Sequence, residues 1–377
     1  MEKQLSASSH IFIHRIFKGI ADSSIKIFIP LLIYQQTQNI FLCFYYGAIE
    51  YFLTAIFFSA FKNPIKKNPL IYIIIHIIPI ISIGFLLLLK LNYFILAIIA
   101  LFSAISSVFY YGSINLLFGI MDEKTDAAKY ETGQHLGKII FTILSSYVLG
   151  KLNNSLIFVV LFSLVVYILS VLPICINYKN IKKELQQLPN AEFKEVFKDN
   201  KYFNFYHIFS GVFSIFTEFV LPLYLFINGL SFTVVGILVA LQYSLSIVGN
   251  YLAKFLDSKE KSKELTIVCS ICIFVSLICI SFIHINKVIY IFTLVNTICH
   301  HMLHTVYFSL FVKDQKEKCF YHYSVFYRDV ILNSARTVIS LSYIIIPSFS
   351  FMFFLGIGSS IGIGVSGYKC DKMYKKV

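Results

Sequence analysis

The sequence contains no tryptophan and little charge. Charged residues make up 14% of its 377 positions, whereas a soluble domain carries about 25%. Hydrophobic residues supply 58% of the chain, and the mean hydropathy is +0.76. These values exclude an ordinary soluble domain and indicate a membrane protein. Because tryptophan is absent, tyrosine must supply any aromatic belt at the membrane interfaces.

Acidic residues are also scarce, with 19 Asp and Glu against 32 Lys and Arg and a net charge of +13. An excess of this kind can serve nucleic-acid binding. Here, however, the lysines lie in short clusters between apolar runs of about 20 residues, the length that crosses a bilayer. We therefore assign the positive charge to membrane topology and expect no nucleic-acid partner.

Turn-forming residues divide the chain into twelve predicted transmembrane helices. The breaks between them include Gln35–Asn39, Asn63–Pro64, Asn153–Asn154, Asn228–Gly229 and Pro347–Ser348. The predicted helices are 11–34, 39–60, 70–89, 92–117, 131–151, 155–176, 203–228, 231–256, 264–284, 288–312, 323–346 and 349–367.

The distribution of Lys and Arg sets the orientation of these helices. With both termini in the cytoplasm, most of the basic residues fall in inside segments, and the outside loops hold only Lys90, Lys151 and Lys287. The abundance of Ile, Phe, Lys, Asn and Tyr is typical of an AT-rich genome. We therefore expect a multi-pass protein of a bacterial cytoplasmic (inner) membrane.

An internal repeat appears when the chain is aligned with itself at an offset of 192 residues. Pro30–Leu31 then falls on Pro222–Leu223, Tyr51 on Tyr243 and Lys62 on Lys254. The offset maps the first predicted helix onto the seventh with the same direction in the membrane, which indicates two parallel halves. The predicted units are an N-terminal bundle at 1–176, a cytoplasmic linker at 177–202 and a C-terminal bundle at 203–377.

Twelve spans, cytoplasmic termini, a central loop and a parallel six-plus-six repeat resemble the major facilitator superfamily over nearly the whole chain. The resemblance implies an all-α membrane protein of two parallel six-helix bundles, related by a pseudo-two-fold axis along the membrane normal. The chain departs from the loop signature of that family between the second and third helices, where it has Phe61–Lys67. Asn250–Lys254 resembles part of the signature after the eighth helix.

Ionisable residues recur at helical spacing inside several predicted helices. A charge at the bilayer centre costs about 2.5–3.5 kcal/mol on insertion scales, so such residues face a cavity or a partner. The third, sixth, ninth and twelfth predicted helices carry no acid, Lys or Arg in their interiors. The resemblance implies that the other eight helices line a central cavity, which agrees with this distribution.

Anionic and cationic residues suggest different roles in that cavity. Carboxylates in a low-dielectric setting can carry protons, and a guanidinium suits anion recognition. The proton-coupling candidates are Asp22, Glu50, Glu218 and His304. The substrate-binding candidates are Lys26, Arg336, Asn333, Gln242, Tyr243, Asn296 and His300.

Structural explanations stay open for several of these residues. Asp22 and Lys26 have the i, i+4 spacing of an ion pair within one helix, and Glu50 could be neutral and hydrogen-bonded. Snorkelling or salt bridges would explain Lys138, near the cytoplasmic end of its helix. His300 and His304 have metal-ligand spacing, but two histidines with no acid nearby in sequence are a weak site, so we predict no metal.

These features together predict a secondary active transporter that moves a small polar solute, anionic or zwitterionic, by alternating access with proton coupling. No Walker A motif occurs, so no ATP site is expected. The alternatives are a lipid or glycolipid flippase and a membrane-embedded enzyme, either a polysaccharide polymerase or an acyltransferase; short outside loops and the repeat count against an enzyme. The expected partners are a small-molecule solute, a proton or other coupling ion and membrane lipid. We expect no cofactor and a monomer.

Overall fold

A computed structural model describes residues 7–24, 28–120, 127–151, 155–179, 201–257, 262–282, 286–317 and 321–374. The described residues form helices joined by short turns, and none of them is in a β-strand. The helices are α1 Ala7–Ser24, α2 Ile29–Thr37, α3 Ile40–Lys67, α4 Pro69–Ile75, α5 Ile77–Leu86, α6 Tyr93–Ile120, α7 Ala127–Lys151, α8 Ser155–Ile176, α9 Lys201–Ile215, a π-helical turn Phe216–Val220, α10 Leu221–Ile227, α11 Phe232–Asp257, α12 Ser262–Phe282, α13 Asn286–Glu317, α14 Tyr321–Ile345 and α15 Phe349–Tyr374.

Eight segments of the described chain are long and apolar enough to cross a membrane. The predicted helices 11–34, 131–151, 288–312 and 323–346 are not among them. Their counterparts, α1 with α2, α7, α13 and α14, each contain several charged residues and at least one His. These four are less apolar because their polar residues face the interior of the protein.

Prolines interrupt the helices at repeat-equivalent positions. Pro30 is in the first turn of α2 and Pro222 in the first turn of α10. Proline has no backbone N–H, so Pro222 cannot donate to the carbonyl of Glu218, four residues earlier. Glu218 lies in the π-helical turn that precedes α10, and such turns are frequent at functional sites.

Two further prolines place the breaks on either side of α4. The sequence predicted a break at Asn63–Pro64, but α3 continues through Pro64 to Lys67, and α4 begins at Pro69. The reason is that Asn68 precedes a proline and is thereby disfavoured in the α conformation. Pro79 cannot bond to the carbonyl of Ile75, which separates α4 from α5.

Three of the other predicted breaks are confirmed. Gln38 has a φ of 51°, and the Asn39 side chain caps α3 by accepting a hydrogen bond from the Phe41 amide at 2.9 Å. Gly229 has a φ of 93°, a left-handed conformation that favours glycine. A short turn before Phe349 separates α14 from α15. Asn153–Asn154 and most of the predicted linker lie outside the described residues.

Helix packing follows the same offset of 192 residues as the sequence repeat. Helix α1 packs on α7 and α8, and its equivalent α9 packs on α14 and α15. Helix α3 packs on α6 and α14, and its equivalent α11 packs on α13 and α7. A Cβ at Gly19 would lie 2.2 Å from the Gln134 carbonyl oxygen, and one at the equivalent Gly211 would lie 2.7 Å from that of Leu332. Glycine therefore permits the same close approach in both halves.

Candidate functional site: a central polar cavity

A cavity of about 400 Å³ lies between the eight predicted helices other than the third, sixth, ninth and twelfth. Its walls come from α1, α2, α3, α6 and α7 and from their repeat-equivalents α9, α10, α11, α13 and α14, together with the π-helical turn. Helices α4, α5, α8, α12 and α15 contribute no lining residue among those described. The size is within the usual range of small-molecule sites.

Nine of the residues singled out from the sequence line this cavity. They are Asp22, Glu50, Glu218, Gln242, Tyr243, His300, His304, Asn333 and Arg336. Asn296 is not among the lining residues; it is buried on α13, and neither of its amide atoms has a hydrogen-bond partner among the described residues. Lys26 lies outside the described residues.

Arg336 and Glu218 face the same part of the cavity. The Arg336 Nε donates a hydrogen bond to the Ser214 hydroxyl oxygen at 3.0 Å, and its guanidinium carbon lies 5.6 Å from the centre of the Tyr51 ring. Tyr51 is within electrostatic range of both Arg336 and Glu218. The two opposite charges nevertheless form no ion pair in the described structure, so both groups are available to a solute.

Lys138 occupies a related position on the other side of the cavity. The Lys138 Nζ lies 4.6 Å from the centre of the Tyr243 ring. The His135 ring stacks on the same tyrosine, with ring centres 5.4 Å apart. The sequence suggested a snorkelling role for Lys138. The structure instead places it among the lining residues, because α7 packs along α11 and directs the side chain onto Tyr243.

Other charges of the cavity wall are compensated by neighbours. Arg15 is 2% exposed and pairs with Glu131 at 3.3 Å. The Arg328 guanidinium pairs with Asp329 at 2.9 Å, and Asp329 also accepts a hydrogen bond from the Asn115 amide at 3.0 Å. Sequence reasoning missed Arg15. The signal was its spacing of seven residues from Asp22, which places both on one face of α1.

Asp22 lines the cavity and also belongs to a buried hydrogen-bond network. It accepts a hydrogen bond from Lys18 at 2.5 Å and another from the Tyr167 hydroxyl at 2.6 Å. The Lys18 Nζ also lies 4.2 Å from the centre of the Tyr110 ring. The sequence offered Lys26 as the i, i+4 partner of Asp22; the described partner at that spacing is Lys18, on the preceding turn.

Glu50 is held in the wall by a neighbour on α6. Its side chain accepts a hydrogen bond from the Ser103 hydroxyl, and the residue is 8% exposed. The hydrogen-bonded packing considered from the sequence therefore describes its environment, although Glu50 also touches the cavity.

Several histidines add hydrogen-bonding groups to the cavity. The lining includes His135, His207, His300, His301 and His304. The His300 ring packs on Phe213 at 4.5 Å, and its Nδ1 has no hydrogen-bond partner among the described residues. No group of three or more His, Cys, Asp or Glu in the described chain is arranged to hold a metal ion.

Contacts between the two sequence halves bound the cavity at both ends. At the end far from the termini, Phe44 stacks on Tyr343 with ring centres 3.8 Å apart. At the end near the N-terminus, Asn115 bonds Asp329, and the Phe58 ring meets that of Phe326 at 6.4 Å. The cavity thus lies between two layers of contacts.

The fold was compared with those of known proteins. Three solved structures are similar over nearly their whole length, each at 12% sequence identity. A bacterial homologue of the iron transporter ferroportin in its outward-facing state has a TM-score of 0.73, with 98% of this chain and 100% of that chain covered. The nucleoside transporter NupG has a TM-score of 0.71, with 97% and 100% covered, and the Escherichia coli fucose:proton symporter FucP has a TM-score of 0.62, with 96% and 98% covered. These structures share the major facilitator fold. This chain has that fold too. No family model and no curated protein sequence matches it.

The third, sixth, ninth and twelfth predicted helices, which carry no acid, Lys or Arg in their interiors, contribute no lining residue among those described. At 12% identity the likeness shows the fold alone, and the solutes of these three transporters differ. The residues that face the cavity of this chain must therefore indicate what it binds.

Proposed function

We propose that this protein is a secondary active transporter that moves a small anionic or zwitterionic solute across a membrane, coupled to protons. The observation that carries the proposal is the placement of Arg336 and Glu218, which line one cavity without forming an ion pair. A permanent cation can bind the anionic group of a solute, and a carboxylate can take up and release a proton.

The proposed architecture consists of twelve spans in two six-helix bundles, 1–176 and 203–377, joined by the linker 177–202. The repeat-equivalent packing of α1 and α9, and of α3 and α11, supports this division. The lysine-rich segments support cytoplasmic termini. We place the protein in a bacterial inner membrane, as a monomer.

The two layers of contacts around the cavity support a mechanism of alternating access. Opening toward the cytoplasm requires separation of Asn115 from Asp329, and opening to the other side requires separation of Phe44 from Tyr343. In the parallel-repeat arrangement, one bundle rocks against the other around a site near the midplane.

Proton coupling is proposed to arise from competition at Arg336. An ionised Glu218 offsets the charge of the guanidinium and repels an anion. A protonated Glu218 does neither, so its protonation favours binding of the anionic solute. The other groups that face this site are Tyr51 on α3, Tyr243 on α11, His304 on α13 and Lys138 on α7. Solute and proton would then enter together.

Transport by purified protein in proteoliposomes tests the proposal. Radiolabelled organic anions and zwitterions are offered with and without an imposed proton gradient. Uptake of at least one of them should rise with the gradient and disappear in Arg336→Ala. Arg336→Lys should restore it only in part, because a lysine ammonium lacks the two-pronged geometry of a guanidinium. Gradient-driven uptake that Arg336→Ala leaves unchanged would remove Arg336 from the site.

A further inference from the structure

Two repeat-equivalent tyrosines each lie beneath a cation from the opposite half of the chain. Tyr51 on α3 lies under Arg336 of α14, at 5.6 Å. Tyr243 on α11 lies under Lys138 of α7, at 4.6 Å. Helices α3 and α11 are equivalent in the repeat, and so are α7 and α14. The cavity thus contains two cation–tyrosine units, one contributed by each pair of packed helices.

Neither cation is ion-paired with an acidic side chain of the described chain. Arg336 and Lys138 form no ion pair there, whereas Arg15, Lys18 and Arg328 each pair with a carboxylate. Both cations are half-buried and line the cavity. An aromatic face attracts a cation, but it does not cancel a full charge.

One carboxylate lies between the two units. Glu218 is within electrostatic range of Tyr51 and also of Tyr243. The remaining carboxylate near Tyr51 is Glu50, which is turned to the Ser103 hydroxyl and is 8% exposed. When Glu218 takes up a proton, no ionised carboxylate of the lining is left without a bonded neighbour, because Asp22, Glu50, Glu131 and Asp329 each bond to an adjacent side chain.

We propose that the solute is a small organic dianion, with one anionic group bound at Arg336 and Tyr51 and the other at Lys138 and Tyr243. The inference rests on the transport function proposed above and names its substrate class. Two cations without ion-pair partners are costly to keep in the interior of a membrane protein, and a dianion compensates both at once. The guanidinium suits a carboxylate bound through both oxygens, and the ammonium accepts an anionic group in many orientations.

The volume of the cavity limits the size of this dianion. About 400 Å³ is the space of roughly a dozen water molecules in the liquid, at about 30 Å³ each. Short α,ω-dicarboxylates fit this space, and their chain length sets the separation of the two charges. The series from malonate to adipate is therefore a suitable probe.

Binding to the purified full-length protein in lipid nanodiscs tests the inference by calorimetry. Each dicarboxylate is compared with the monocarboxylate of equal chain length. At least one dicarboxylate should bind about tenfold or more tightly than its monocarboxylate. Lys138→Gln should remove that preference and leave monocarboxylate affinity within about threefold of wild type, because a monoanion needs only Arg336.

Two further variants separate binding from folding. Lys138→Arg keeps the cation over Tyr243 and should keep the preference for a dianion. Lys129→Gln removes an exposed lysine from the same helix, away from the cavity, and should change nothing. The thermal unfolding midpoint of each variant without ligand shows whether it is folded.

Equal affinity for every dicarboxylate and its monocarboxylate would overturn the dianion proposal, and so would a preference that survives Lys138→Gln in folded protein. Neither result would contradict the proposed transport function, because uptake of a monoanion in proteoliposomes would still depend on Arg336. Conversely, dianion binding that requires Lys138, without any gradient-driven uptake, would support the site and contradict the transport function.

Discussion

At the scale of single residues, the ionisable groups of the cavity differ in whether their charge can be removed. Arg336 stays charged at any accessible pH, whereas Glu218 can be neutralised by a proton. Asp22 is different again, because Lys18 and the Tyr167 hydroxyl already bond its carboxylate. These three environments lead to different expectations for substitution.

Glu218→Gln should uncouple solute binding from pH. In the wild type, ionisation of Glu218 as the pH rises restores a negative charge beside Arg336, so affinity for an anion should fall with rising pH. Glutamine keeps the size of the side chain but cannot ionise. We expect anion affinity in Glu218→Gln to be flat across the range in which the wild type changes, as measured by calorimetry. The same pH dependence in wild type and variant would assign coupling to another group, with His304 the next candidate.

Asp22→Asn should lower stability as well as transport. The Lys18–Asp22 pair is almost fully buried, with side chains 2% and 4% exposed. Removal of one member of such a pair leaves a buried charge and costs about 3–5 kcal/mol. The double variant Lys18→Met with Asp22→Asn removes both charges and should recover much of the loss. Thermal unfolding in detergent measures both, and a single variant as stable as the wild type would contradict the buried pair.

At the scale of helices, close packing depends on a few glycines and on proline breaks. The Gly19 site meets a backbone carbonyl of α7, so its neighbour cannot rotate away as a side chain could. Gly358 on α15 has open space where a Cβ would lie. The two glycines therefore form a matched pair for substitution by alanine.

Gly19→Ala should destabilise the protein by about 1–3 kcal/mol, the usual range for overpacking. Gly358→Ala should be neutral or slightly stabilising, since alanine is favoured over glycine inside a helix. The unfolding midpoints of the two purified variants check this difference. Equal stability of both would show that α1 and α7 are not in the close contact described.

At the scale of the whole molecule, topology decides which solution each end of the cavity meets. Gln36 and Lys90 are exposed near one end, and Lys67 and Lys254 are exposed near the other. With cytoplasmic termini, cysteines at 36 and 90 should react with an impermeant thiol reagent in intact cells. Cysteines at 67 and 254 should react only after the membrane is opened. The parent protein with Cys175→Ser serves as background, and labelling of the second pair in intact cells would contradict the proposed orientation.

Prediction from the sequence succeeded where the information was local. Apolar length identified the eight segments that could cross a membrane, and the repeat anticipated the matched prolines 30 and 222 and the equivalent packing of α1 and α9. Helical spacing placed Asp22, Glu218 and Arg336 on the faces that line the cavity. The break near Asn63 was wrong because a proline close to a helix end can be accommodated there, and the residue before the next proline ends the helix instead.

The sequence by itself determined which segments form helices and which helix faces are polar, because both depend on residues close together in the chain. Only the tertiary structure decided which charges are compensated. Arg15 and Glu131, 116 residues apart, pair because α1 packs on α7. Lys138 reaches Tyr243 because α7 packs on α11. Such partners are set by the rotation and spacing of helices from distant parts of the chain. The periodicity of residues within one helix specifies neither the rotation of that helix against its neighbour nor the distance between them.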